Sequence, residues 1–225
     1  MNKIAFCLLT TKTNTEERFN QIRKDDIGID FFMLLDTKGK NPKWSEKNNL
    51  IKFNGPPVWK KYNRISDNYV GNPQFIILEF AKAHPEYEYF WFCEDDIFMP
   101  NGDYKEFFEE CGNIECDLLL THSISTIRPW YWTSYIKCSR RDLYPINQYI
   151  QLFRLSKEGA DLISSQFRQE DKAHSEAVIP SIIYMNGLTT KYIDLQTKYK
   201  FNISHRTLQD IEMNQKDTFY HPMKI

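Results

Sequence analysis

Five apolar residues in a row, Tyr89-Phe90-Trp91-Phe92-Cys93, are followed at once by three acids, Glu94-Asp95-Asp96. The run is rich in strand-forming residues. A strand that is apolar on both sides has to be covered on both sides, which places it in the middle of a sheet. Pro85, just upstream, stops the helix before it. Ligands of open α/β sheets bind outside the carboxyl ends of the strands, and the acids fall there. Adjacent carboxylates repel one another, and a divalent cation such as Mn²⁺ or Mg²⁺ would offset that repulsion. In extended backbone Glu94 and Asp96 point to one side and Asp95 to the other. The plain structural alternative is a solvated loop start, or a cap for a helix near Asp103.

The rest of the first half alternates strand and helix. Residues 3 to 9 read as a buried strand, and Asn14 with Glu17 reads as the start of a helix running to about Lys24. Ile29 to Leu35 gives a second strand ending at Asp36. Residues 37 to 58 read as a long loop with one short strand near Ile51 to Phe53. Helical spacing runs from Pro73 to about Ala83, with Ile77, Phe80, Ala81 and His84 on one face. Further on, Asp103 to Gly112 predicts a helix and Asp117 to Thr121 a strand. Tyr149 to Leu155 alternates like a half-buried strand, and Ser156 caps a helix bearing Ala160, Ile163 and Phe167. Residues 177 to 185 form an apolar segment interrupted by Pro180. The expectation is one α/β domain over residues 1 to 225, with a mostly parallel central sheet and flanking helices. Residues to about 121 read as the alternating half, and about 122 to 225 as an irregular half that would shape the acceptor side of a cleft.

Lys and Arg total 29 against 30 Asp and Glu, which gives no reason to expect a nucleic-acid partner. The five cysteines, Cys7, Cys93, Cys111, Cys116 and Cys138, lack a CxxC pair and read as reduced thiols of a cytoplasmic protein. Ile4 to Leu9 is too short to span a membrane, so any peripheral membrane contact falls to the folded surface or a partner. No Gly-rich turn follows the first strand, and no GKS or GKT sequence is present, unlike dinucleotide-binding and P-loop proteins.

The stretch from Lys61 to Pro100, and above all Tyr87 to Asp96, resembles the central segment of glycosyltransferases of the GT-A fold. There a hydrophobic strand delivers an Asp-x-Asp-type motif to the metal and the sugar-nucleotide diphosphate. Phe219-Tyr220-His221-Pro222-Met223-Lys224 is similar to the late histidine segment of several members. The resemblance implies transfer of a sugar from a nucleotide-sugar donor to a hydroxyl of a glycan or glycolipid acceptor. It implies an Mn²⁺ or Mg²⁺ ion held by Glu94, Asp96 and His221, although Glu94 stands where the family has its first Asp. By position, Asp36 and Thr10 would contact the nucleoside, Asp95 and one of Lys60, Lys61 and Arg64 would serve the donor, and Lys224 would lie near the departing phosphate. Asp36 also suits a turn, Thr10 a strand end, and the basic trio a solvated face.

Inverting transfer needs a carboxylate to take the acceptor proton. Glu176, before the apolar segment, is the candidate base, or else an acid favoured at a helix N-terminus; inversion is slightly preferred over retention. Trp130, Tyr131 and Trp132 fit a sugar platform or simple packing. A neutral imidazole at His221 would lose the metal as pH falls through about 6.5. Two alternatives remain. A nucleotidyltransferase normally has a Gly-rich basic loop where Thr10-Thr11-Lys12-Thr13 stands, and a non-catalytic glycan-binding protein would share the fold.

Overall fold

The computed structural model describes residues 3–12, 15–24, 26–37, 49–54, 73–122, 146, 148–166, 174–203 and 215–222. Seven strands form one sheet: β1 (Ile4–Thr10), β2 (Ile29–Asp36), β3 (Leu50–Phe53), β4 (Tyr89–Glu94), β5 (Leu118–Leu120), β6 (Leu152–Ser156) and β7 (Thr190–Tyr192). Their spatial order is β3-β2-β1-β4-β6-β5-β7. Every neighbouring pair is parallel except those of β6, which runs antiparallel to both β4 and β5. The carboxyl ends of β1, β2, β4, β5 and β7 therefore share one edge with the entry to β6. Two further strands, β8 (Lys200–Ile203) and β9 (Thr218–His221), pair in parallel as a separate small sheet.

Strand pleating divides the core in two. Ala5, Cys7 and Leu9 of β1 and Phe90 and Phe92 of β4 face one side. That side is covered by α2 (Ile76–Ala83), α4 (Lys157–Gln166) and α5 (Ser175–Met185). Phe6, Leu8, Trp91 and Cys93 face the other side, under α1 (Glu16–Ile22) and α3 (Tyr104–Gly112). Burial on both faces accounts for the unbroken apolar runs of β1 and β4. A four-residue α6 (Ile193–Gln196) follows β7. Asp103 caps α3, accepting from the Lys105 and Glu106 backbone N–H groups at 2.8 and 3.4 Å.

Three elements depart from expectation. β6 is not half-buried, since all five of its residues are buried. Its Arg154 lies under α3, donating to the Cys111 carbonyl at 2.9 Å and to the Ile114 carbonyl, with its guanidinium 4.6 Å from the Tyr89 ring centroid. Pro180 does not interrupt α5, which runs unbroken through it. Proline cannot donate to the carbonyl four residues back, and that Glu176 carbonyl accepts the Gln148 N–H at 2.9 Å instead. The third is β7, which the sequence does not foretell and which joins the sheet beside β5. The helix predicted from Asn14 to Lys24 spans Glu16–Ile22, and Asn14 lies outside the described residues. So do Phe167, Cys138 and the Trp130-Tyr131-Trp132 segment. Cys7, Cys93, Cys111 and Cys116 are buried free thiols. Among the described residues no helix is long and apolar enough to cross a membrane.

Candidate metal centre

β4 ends at Glu94, and the chain then turns, with the Ile97 N–H bonded to the Glu94 carbonyl at 3.3 Å. The turn, rather than continued pleating, brings Asp96 back beside Glu94. The partner from the far end of the chain arrives on β9. Phe98, two residues past the acids, exchanges backbone hydrogen bonds with Tyr220 at 3.1 and 2.9 Å. Thr218, Phe219 and Tyr220 are buried, and Phe219 packs between Phe107 and Phe201 with ring centroids 4.8 and 5.2 Å away. His221 follows and enters the acidic turn. Its Nε2 faces Asp96 Oδ1 at 3.3 Å and Glu94 Oε2 at 3.6 Å.

One ligand atom from each of Glu94, Asp96 and His221 lies within 4.8 Å of the other two. These three residues can hold a metal ion. An octahedral ion with bonds of about 2.1 Å sets adjacent ligands about 3 Å apart, close to the two contacts to Nε2. Two carboxylates and an imidazole form a mixed oxygen and nitrogen donor set for a divalent cation. Burial raises the Glu94 carboxyl above its ordinary range, and contact with His221 only partly opposes this. A bound cation would favour the charged form outright. Burial disfavours charge on His221 too, yet the contacts to Asp96 and Glu94 prevail and lift its pKa to about 9. A proton on Nε2 would oppose a cation there, and the raised pKa puts that opposition above the expected 6.5.

Asp95 has a different occupation. Thr10 gives its one hydroxyl proton to Asp95 Oδ2 at 2.6 Å and accepts from the Lys12 N–H at 2.9 Å. Arg18 of α1 donates to the Asp95 carbonyl and stacks over Phe98, 4.7 Å from the ring centroid. Burial raises the Asp95 carboxyl, with the Thr10 hydrogen bond pulling the other way. Thr10 and Asp95, expected separately at the donor, are therefore bonded to each other and fasten the acidic turn to the β1–α1 connection. Asp36 is buried at the carboxyl end of β2. Lys60, Lys61, Arg64 and Lys224 lie outside the described residues.

Glu176 sits in the first turn of α5 and is buried. Gln151 Nε2 donates to its Oε1 at 2.6 Å. His174 caps the helix, its Nδ1 accepting the Glu176 N–H at 3.3 Å. Burial drops the His174 pKa to about 4, so its contact with Glu176 Oε2 at 3.7 Å is that of a neutral ring. Gln151 also accepts the Glu94 backbone N–H at 2.9 Å, placing Glu176 one residue away from the acidic turn. Arg18, Gln151, Gln74 (which donates to Glu94 Oε1) and Ser175 (which donates to Gln74 Oε1) play parts that the sequence does not announce. Each acts through a partner brought in by tertiary packing, and no local spacing marks them.

A cleft of about 780 Å³ is lined in part by Gln21, Lys24, Phe98, Asp103, Lys216 and Asp217. None of Glu94, Asp96 and His221 lines it, and Phe98 lies between this concavity and the candidate metal centre. Comparison with protein-family models finds no match to this chain, and comparison with curated proteins finds none either.

Proposed function

We propose that this chain is a metal-dependent glycosyltransferase of the GT-A type, moving a sugar from a nucleotide-diphosphate-sugar to a hydroxyl of a glycan or glycolipid acceptor. The observation that carries this reading is the convergence of Glu94, Asp96 and His221 at the carboxyl end of the central strand. In this reading the three side chains hold Mn²⁺ or Mg²⁺. When bound, the ion neutralises charge on the leaving diphosphate. Thr10 and Arg18 keep the acidic turn in place through Asp95. Asp36, at the same sheet edge, contacts the nucleoside. Glu176 receives the acceptor proton, its carboxylate oriented by Gln151. A base on the acceptor side favours inversion at the transferred carbon. The buried thiols suit a reducing, cytoplasmic setting.

The test is release of nucleoside diphosphate from a panel of nucleotide sugars, with Mn²⁺, with Mg²⁺ and with chelator. Turnover should require the metal, and Asp96→Ala should reduce it at least ~100-fold while the fold is retained. Glu176→Gln should lower turnover with little change in donor affinity. Absence of metal-dependent turnover across the panel, or near-normal turnover by Asp96→Ala, would sink the proposal.

A further inference from the structure

We infer that Gln74 is the positioning residue of the cation site, aiming Glu94 through a buried relay anchored on Ser175 of α5; this rests on the cation site proposed above. Gln74 lies in the short 3-10 turn Pro73–Phe75 that leads into α2. Glutamine is usually exposed, yet Gln74 is 3 % exposed and Ser175 is 0 %. Gln74 Nε2 donates to Glu94 Oε1 at 2.6 Å, and Ser175 Oγ donates to Gln74 Oε1 at 2.6 Å. An ionised carboxylate only accepts hydrogen bonds, so the amide has one workable orientation. Its NH₂ must face Glu94, and its carbonyl must then take the serine proton.

This arrangement selects which oxygen Glu94 can offer. Oε1 is held by Gln74, and Oε2 is the atom that faces His221 Nε2 at 3.6 Å. Glu94 is thus set to bind through a single oxygen. Its main chain is fixed separately, through the backbone N–H to Gln151, which leaves side-chain rotation as the freedom that Gln74 removes. Through the two glutamines, Glu94 is tied to both Ser175 and Glu176 in the first turn of α5. The cation site and the proposed base therefore share one support.

Partners behind metal ligands typically govern affinity by 10–100-fold. The experiment measures Mn²⁺ binding by calorimetry, and the electron paramagnetic resonance spectrum of bound Mn²⁺, on the intact chain, Gln74→Met and Ser175→Ala. Methionine keeps the volume of the glutamine and loses both hydrogen bonds. The expected result is Mn²⁺ binding weakened about 10–100-fold in Gln74→Met, with an altered resonance line shape and an unchanged circular dichroism spectrum. If Gln74→Met does not fold, Ser175→Ala carries the test, with an expected loss of about threefold or more because the amide keeps its bond to Glu94. Unchanged affinity and line shape in the folded variants would overturn the role of Gln74 and leave the cation site standing. A parent chain that binds no Mn²⁺ would overturn the cation site itself.

Discussion

His221 stands between two carboxylates, and its proton is the natural competitor of any cation. Its pKa is raised to about 9 in the folded chain, against about 6.5 when unfolded. The sign follows from linkage: a raised pKa means that the folded state binds the proton more tightly. The metal-free protein therefore holds this stabilisation in full below about pH 6.5 and loses it as pH rises through about 9. His221→Gln should remove that dependence, so thermal midpoints of parent and variant should draw together between pH 6.5 and 9.5. Mn²⁺ affinity should move the opposite way in the parent, rising about tenfold per pH unit up to about 9 as one proton is displaced. Calorimetry in buffers of different ionisation enthalpy would count that proton. A pH-independent affinity would show that the imidazole is not a ligand.

At the scale of single elements, α3 supplies two further expectations. Asp103 satisfies two N–H groups at its start, so Asp103→Ala should cost about 1 kcal/mol, read as a shifted urea midpoint with unchanged slope. At the other end, Arg154 fills the Cys111 and Ile114 carbonyls from inside the sheet, and among the described residues it meets no carboxylate. Arg154→Met would leave the Ile114 carbonyl buried without the guanidinium, while the Cys111 carbonyl keeps the Ile114 N–H at 3.2 Å, and should cost about 1–3 kcal/mol; an unshifted midpoint would mean that water replaces the guanidinium. The same residue explains why β6 reads as half-buried from the sequence. A charged side chain in the middle of a strand signals solvent, and only the approach of a helix C-terminus makes it a core residue. β1, β2 and β4 were legible because burial on both faces leaves a plain apolar run. α5 was harder, because the carbonyl freed by Pro180 finds Gln148, and nothing near either residue in sequence discloses that.

For the molecule as a whole, the candidate site divides by distance along the chain. Glu94 and Asp96 were legible because they are local to one strand end. His221 was reached only through a family resemblance, and Gln74, Gln151 and Ser175 were invisible because packing of α5 over the sheet brings them in. The Phe98–Tyr220 bridge has a consequence in time. Two backbone hydrogen bonds join the segment after the acids to the strand bearing His221, so detachment of β9 would take the site apart while the seven-stranded sheet stays intact. Such partial openings are what amide hydrogen exchange records. A cation bound by residues on both sides of the bridge would hold it shut. The Phe98 and Tyr220 amides should exchange together, and Mn²⁺ at ten times its dissociation constant should slow both about 11-fold. The β1 amides, which open only with the sheet, would keep the slower clock of the whole fold.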